Sequence, residues 1–99
     1  MASATMTIRL INKVGLHVRP AALFVRTANT FESKILIQKG EKEVDAKSIL
    51  GVLSLGAEYG SVITIKALGE DEEESIKKLV ELIENKFYED SEEEIGKNQ

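Results

Sequence analysis

Apolar and polar positions alternate along residues 5–11, with Met6, Ile8 and Leu10 on one side and Thr5, Thr7 and Arg9 on the other. A period of two is that of a half-buried strand. After a turn at Asn12-Lys13-Val14-Gly15 the period lengthens. Between residues 18 and 30, Ala21, Val25 and Ala28 share one helical face, with Phe24 and Phe31 beside it. This predicts an amphipathic helix whose small residues allow close packing on a sheet. Residues 34–39 form a second strand. Gly40 lies in the tight turn that follows, and residues 43–45 form a short third strand at a sheet edge. Residues 49–55 carry Ile49, Leu50, Val52, Leu53 and Leu55, a short helix apolar on more than one side, with Ser48 as its N-cap and Gly56 as its stop. Residues 61–68 alternate again, with Ile63, Ile65 and Ala67 on one face. Asp71-Glu72-Glu73-Glu74 then opens a last helix whose stripe is Ile76, Leu79, Val80, Ile83 and Phe87. Asp71 and Glu74 have capping-box spacing. The order β-α-β-β-α-β-α predicts an α+β domain, in which an antiparallel sheet carries its helices on one face and leaves the other open.

Composition narrows the picture. Ninety-nine residues make one domain with one core, expected over residues 1–88, followed by an acidic and disordered tail over residues 89–99. No cysteine and one histidine leave no thiolate site, no disulfide framework and no transition-metal cluster. The glutamate clusters lack calcium-loop spacing, so no cofactor or metal is expected. No apolar run approaches a membrane span and the first residues do not resemble a signal peptide, so a soluble, cytoplasmic protein is expected. Residues 1–69 carry nine Lys/Arg against five Asp/Glu, whereas residues 70–99 carry four against twelve. This split favours a partner with an acidic face docking on the basic two thirds. Nucleic acid is not indicated, because the total is acidic and aromatic residues make up only 5%.

The candidate chemistry gathers at two helix starts. Pro20 belongs in a first helical turn, where its missing N–H costs no hydrogen bond. That places His17, the single histidine, at or next to the N-cap. Unpaired N–H groups and the positive helix end suit a phosphoryl group carried by the ring, and Arg19 adds a counter-charge. The competing reading is a passive cap or surface ring. Ser48 has the same two readings, cap or phosphoserine. The apolar residues around it either all enter the core or leave a docking patch exposed.

Asn12-Lys13-Val14-Gly15-Leu16-His17-Val18-Arg19-Pro20-Ala21-Ala22 resembles the active-site signature of the HPr family, the histidine-containing phosphocarriers of the bacterial sugar phosphotransferase system. Lys47-Ser48-Ile49-Leu50-Gly51-Val52-Leu53-Ser54-Leu55-Gly56 resembles the same family's regulatory serine segment. The likeness runs from about Met6 to Phe87. It implies an open-faced β-sandwich of four antiparallel strands and three helices. It implies a relay rather than an enzyme in its own right. His17 would take a phosphoryl group on Nδ1 from phospho-enzyme I, itself charged by phosphoenolpyruvate, and pass it to the IIA domain of a sugar-specific enzyme II, with Arg19 assisting. Ser48 matches the serine modified by HPr kinase/phosphorylase, whose product binds a catabolite control transcription factor. Val18, Ala22, Ile49, Leu50 and Leu53 match partner-binding positions, and a monomer is expected. Val18 departs from the family's usual alanine, and Leu50 and Leu53 stand where methionines are common. A second reading, a purely regulatory module, runs against the presence of His17, which such relatives lack.

Overall fold

The computed structural model describes residues 3–89. The elements follow in the expected order: β1 (Ala4–Arg9), α1 (Val18–Ala28), β2 (Lys34–Lys39), β3 (Lys42–Asp45), α2 (Ile49–Ser54), β4 (Val62–Leu68) and α3 (Glu72–Glu84). The four strands form one sheet in the order β1-β4-β2-β3, antiparallel throughout. Register stacks the apolar side chains on one face. Ile8 lies opposite Ile63, Ile37 opposite Ile65 and Val44, and Ile35 opposite Ala67. Phe24 of α1, Val52 of α2, and Leu79 and Ile83 of α3 close the core over that face, all fully buried. The opposite face carries Thr7, Thr64, Lys66 and Glu43, with a Thr7–Thr64 hydroxyl hydrogen bond and a 2.8 Å Lys66–Glu43 ion pair. This is the open-faced sandwich that the residue pattern and the resemblance called for. No helix among the described residues is long and apolar enough to cross a membrane.

Burial fades along β1 because it is an edge strand. Leu10, just beyond it, is buried, Ile8 is half-buried and Met6 is exposed, although the alternation puts all three on one side. The expected capping box at α3 does not form. The Asp71 carboxylate makes no cap hydrogen bond to its own helix. It accepts instead from the Glu32 and Ser33 amides at 2.9 Å, and from the Ser33 hydroxyl. Two backbone donors of a neighbouring loop thus capture a carboxylate that its own helix could have used. Gly69 makes room for this contact, since a Cβ there would lie 2.8 Å from Ser33 Cα. Ser33 is itself a buried polar residue, so the Asp71 fork satisfies a hydroxyl that would otherwise be stranded. The tail expected from residue 89 falls, from residue 90 onward, outside the described residues.

The loop between β1 and α1 is tied to the loop between α2 and β4. Leu10 N–H donates to Ser61 O at 2.8 Å, Gly60 N–H to Leu10 O at 2.9 Å, and Leu16 N–H to Ala57 O at 2.8 Å. Gly15 makes this possible. Its φ is +61°, and a Cβ would sit 2.6 Å from the Ala57 carbonyl oxygen. Glycine alone has both the left-handed backbone and the clearance.

Two tests follow from these contacts. The Ser33 hydroxyl, then the Glu32 amide, hold the Asp71 carboxyl below its ordinary value of 3.8. A carboxylate more acidic when folded than when unfolded stabilises the fold fully above its ordinary value and loses that contribution as pH falls below it. Asp71→Ala therefore lowers the urea midpoint at neutral pH, and its deficit against the wild-type protein shrinks as pH is taken below 3.8. Gly15→Ala costs about 1–3 kcal/mol in urea unfolding, because strain and overlap act together.

Candidate functional site

His17 occupies the N-cap of α1 in extended backbone geometry, with φ −76° and ψ −176°. Its carbonyl accepts the first helical bond, from the Ala21 N–H at 2.9 Å. Its ring makes no cap hydrogen bond. The imidazole is therefore not spent on satisfying the helix, and 59% of the side chain is exposed. The amides of Val18 and Arg19 open the helix below it, and Pro20, buried in the same turn, offers no donor. Arg19 is exposed on that first turn. An anion on the ring would thus meet a helix start that carries a guanidinium in its first turn, two residues on.

The loop ties bring a second segment against the ring. Leu16, His17 and Val18 share a shallow depression of ≈ 330 Å³ with Leu53, Gly56, Ala57 and Glu58. Here the start of α1 meets the end of α2. Gly56, with φ +59°, terminates α2 as expected and turns the chain toward Ala57 and Glu58. The Glu58 carboxylate stands 3.9 Å from His17 Nε2. Sequence reading missed Glu58, since nothing local distinguishes it from any acidic residue in a polar turn. It also missed Asn12. That side chain is fully buried, and its Nδ2 donates to Gly15 O at 2.7 Å, closing the loop that leads to His17.

Ser48 is the N-cap of α2, its Oγ accepting from the Gly51 N–H at 3.1 Å. It lies at the other end of that helix from His17. Lys47 anchors this end to α1, donating to Phe31 O at 2.7 Å and accepting from Asn29 Nδ2 at 3.2 Å. The structure thus unites His17 with Val18 and Leu53, and Ser48 with Ile49 and Leu50, on two ends of a six-residue helix.

The two readings of the short helix resolve into a division. Val52 and Leu55 enter the core, Leu53 is half-buried, and Leu50 is 77% exposed. Val18 is 69% exposed, so the methyls that set it apart from alanine stand on the surface beside the ring. Ala22, half-buried one turn on, completes the run. A larger depression of ≈ 730 Å³ lies at the start of α3, between Glu32 and Lys77. Its lining of Glu70, Asp71, Glu72, Glu73 and Glu74 would repel a phosphoryl group, so size does not mark the site here. Among the described residues no cluster of three or more His, Cys, Asp or Glu could hold a metal ion.

Comparison with known proteins gives a consistent result. The family described as "PTS HPr component phosphorylation site" matches residues 4–85. The phosphocarrier protein HPr of Treponema pallidum is 40% identical over 84 residues, covering 85% of this chain and 96% of that protein. The HPr-like protein Crh of Bacillus subtilis is 44% identical over the same length and shares. Among solved structures, HPr from Thermoanaerobacter tengcongensis superposes with a TM-score of 0.83 at 56% identity, covering 85% of this chain and 94% of that one. A second structure of HPr from that organism is described as a dimer, with a TM-score of 0.70 at 57% identity, covering 83% of this chain and 94% of that one. Sequence match, fold and helix-start histidine agree: the chain belongs to the HPr family, the phosphocarrier component of the phosphotransferase system.

Proposed function

We propose that His17 of this chain accepts a phosphoryl group from phospho-enzyme I and delivers it to the IIA domain of a sugar-specific enzyme II, acting in the cytoplasm as a monomer. The observation that carries this reading is the ring itself: held at a helix N-cap, exposed, and free of any capping hydrogen bond. The Nδ1 lone pair attacks phosphorus as the donor's bond to phosphorus breaks, and a nucleophile of the IIA domain then attacks phosphorus as the Nδ1–P bond breaks. The resemblance assigns the nucleophile to Nδ1, and Glu58 stands 3.9 Å from the other ring nitrogen, Nε2. The first-turn amides and Arg19 receive the charge. Nothing in this arrangement completes a reaction alone, which suits a relay rather than an enzyme. Both motifs sit within one chain, so a monomer is sufficient for transfer. Light scattering of the phosphorylated protein at micromolar concentration tests that state against the dimer described for the Thermoanaerobacter relative.

Ser48 supports a regulatory reading alongside the first. A phosphoryl group there would add a charge of about −1.5 to −2 at the positive end of α2, directly beside the exposed Leu50. HPr kinase/phosphorylase and a catabolite control transcription factor are the partners this implies. That a Crh protein is among the relatives favours a regulatory role as the second reading, and His17 argues against its being the sole one.

Incubation with enzyme I and phosphoenolpyruvate is expected to give acid-labile, alkali-stable phosphate on the wild-type protein and none on His17→Ala. A wild-type protein left unmodified by an enzyme I that phosphorylates another HPr would sink the carrier reading. Ser48→Ala should abolish modification by HPr kinase and lose about 1 kcal/mol of stability with the cap. Leu50→Ala should leave stability within about 0.5 kcal/mol, because the side chain is exposed. The same change should weaken binding to enzyme I or a IIA domain roughly tenfold, as expected of an apolar contact residue, read by titration calorimetry.

A further inference from the structure

The chain does something unusual after α3. Lys86, Phe87 and Tyr88 have φ of 55°, 54° and 60°, three successive non-glycine residues in left-handed geometry. Such a run is costly for L-residues and persists only when its surroundings hold it. Two contacts do so. Phe87 is buried in the core, and Glu89, the next residue after the turn, accepts a hydrogen bond from Asn12 Nδ2 at 2.9 Å. The left-handed turn therefore delivers a carboxylate to the underside of the loop that carries His17, across 77 positions of sequence.

Asn12 uses both amide hydrogens. One goes to Glu89 Oε1 and one to Gly15 O, at 2.9 and 2.7 Å. Its Oδ1 is buried with no hydrogen-bond partner among the described residues. A carboxylate and a carbonyl are both acceptors, so they fix which way the Asn12 amide faces. With the amide reversed, Oδ1 would confront two acceptors in a buried site, which is repulsive. Glu89 thus locks the Asn12 amide, the amide holds the Gly15 carbonyl, and Gly15 sits against Ala57 and Glu58 immediately before Leu16 and His17.

We propose that Glu89 is a positioning residue for His17, acting through Asn12 to hold the loop between β1 and α1 in the geometry that receives the phosphoryl group. The proposal rests on the carrier reading above and adds to it a residue outside both motifs. Misplacing a reacting group by a small distance lowers the rate of the chemical step more than it lowers affinity. The proposed docking residues Leu50 and Leu53 stand on α2, outside this loop.

The experiment compares Glu89→Ala and Glu89→Gln with the wild-type protein, each as the full 99-residue chain. Two readouts are taken: amide hydrogen exchange by NMR, and the kinetics of phosphoryl transfer from phospho-enzyme I. In Glu89→Ala, exchange at Gly15 and Leu16 should rise by about tenfold while Ile35 and Ile65 in the sheet keep their protection. The same variant should lower kcat roughly tenfold with KM unchanged. Glu89→Gln retains an acceptor oxygen and should rescue most of both effects, and Asn12→Ala combined with Glu89→Ala should be no slower than Asn12→Ala alone. A uniform rise in exchange across loop and sheet, or an unchanged kcat in Glu89→Ala, would overturn the proposal by reducing Glu89 to a general anchor. A wild-type protein that accepts no phosphate overturns the carrier reading instead, and the exchange pattern still decides whether Glu89 holds the loop.

Discussion

The approach of the Gly15 backbone to Ala57 and Glu58 is the contact on which the site depends. It sets how far the start of α1 lies from the end of α2. Were the two loops even one methyl group farther apart, Leu16 could not reach the Ala57 carbonyl, and His17 would lose its neighbours Leu53 and Glu58. The antiparallel pairing of β1 with β4 brings these loops to one end of the sheet, and the glycine lets them touch. The surroundings of His17 are arranged around a place where the chain has no side chain at all.

The loop on its other side is held by a buried asparagine. Asn12 is fully buried and both its amide hydrogens are committed, which fixes the way its side chain faces. The site is thus braced by backbone contact from one side and by a polar lock from the other, and the ring that projects between them is left exposed. A carrier needs this combination. Its reactive group must be reachable by different proteins in turn, yet must not wander between visits.

Much of this architecture was legible because it is periodic or local. The alternation of residues 62–68 requires only that one face be buried, and Ile63, Ile65 and Ala67 are the buried ones. Pro20 located the start of α1 because its ring and missing N–H restrict where it can stand. Ser48 was readable as a cap for the same local reason, and caps α2 through Gly51. What escaped was decided by partners distant in sequence. Asp71 had the spacing of a capping residue, but its carboxylate was claimed by Glu32 and Ser33, whose approach depends on how α1, β2 and α3 pack. Glu89 looked like the first residue of an acidic tail. Its bond to Asn12 follows from three left-handed residues that no propensity favours. The division of α2 into inward Val52 and outward Leu50 could be posed from the sequence, but its answer waited on which side the sheet lay.

The six residues of α2 span roughly 9 Å of helix, from Ser48 at its start to the segment that faces His17 at its end. That length is close to the distance over which physiological salt screens charge, about 8 Å. Phosphoryl groups at the two ends, as proposed above, would therefore be partly screened from one another by water. A protein that laid its own surface along α2 would exclude that water and span both ends in one footprint. To such a partner the short helix would serve as a ruler, setting how a group at one end bears on the fit at the other.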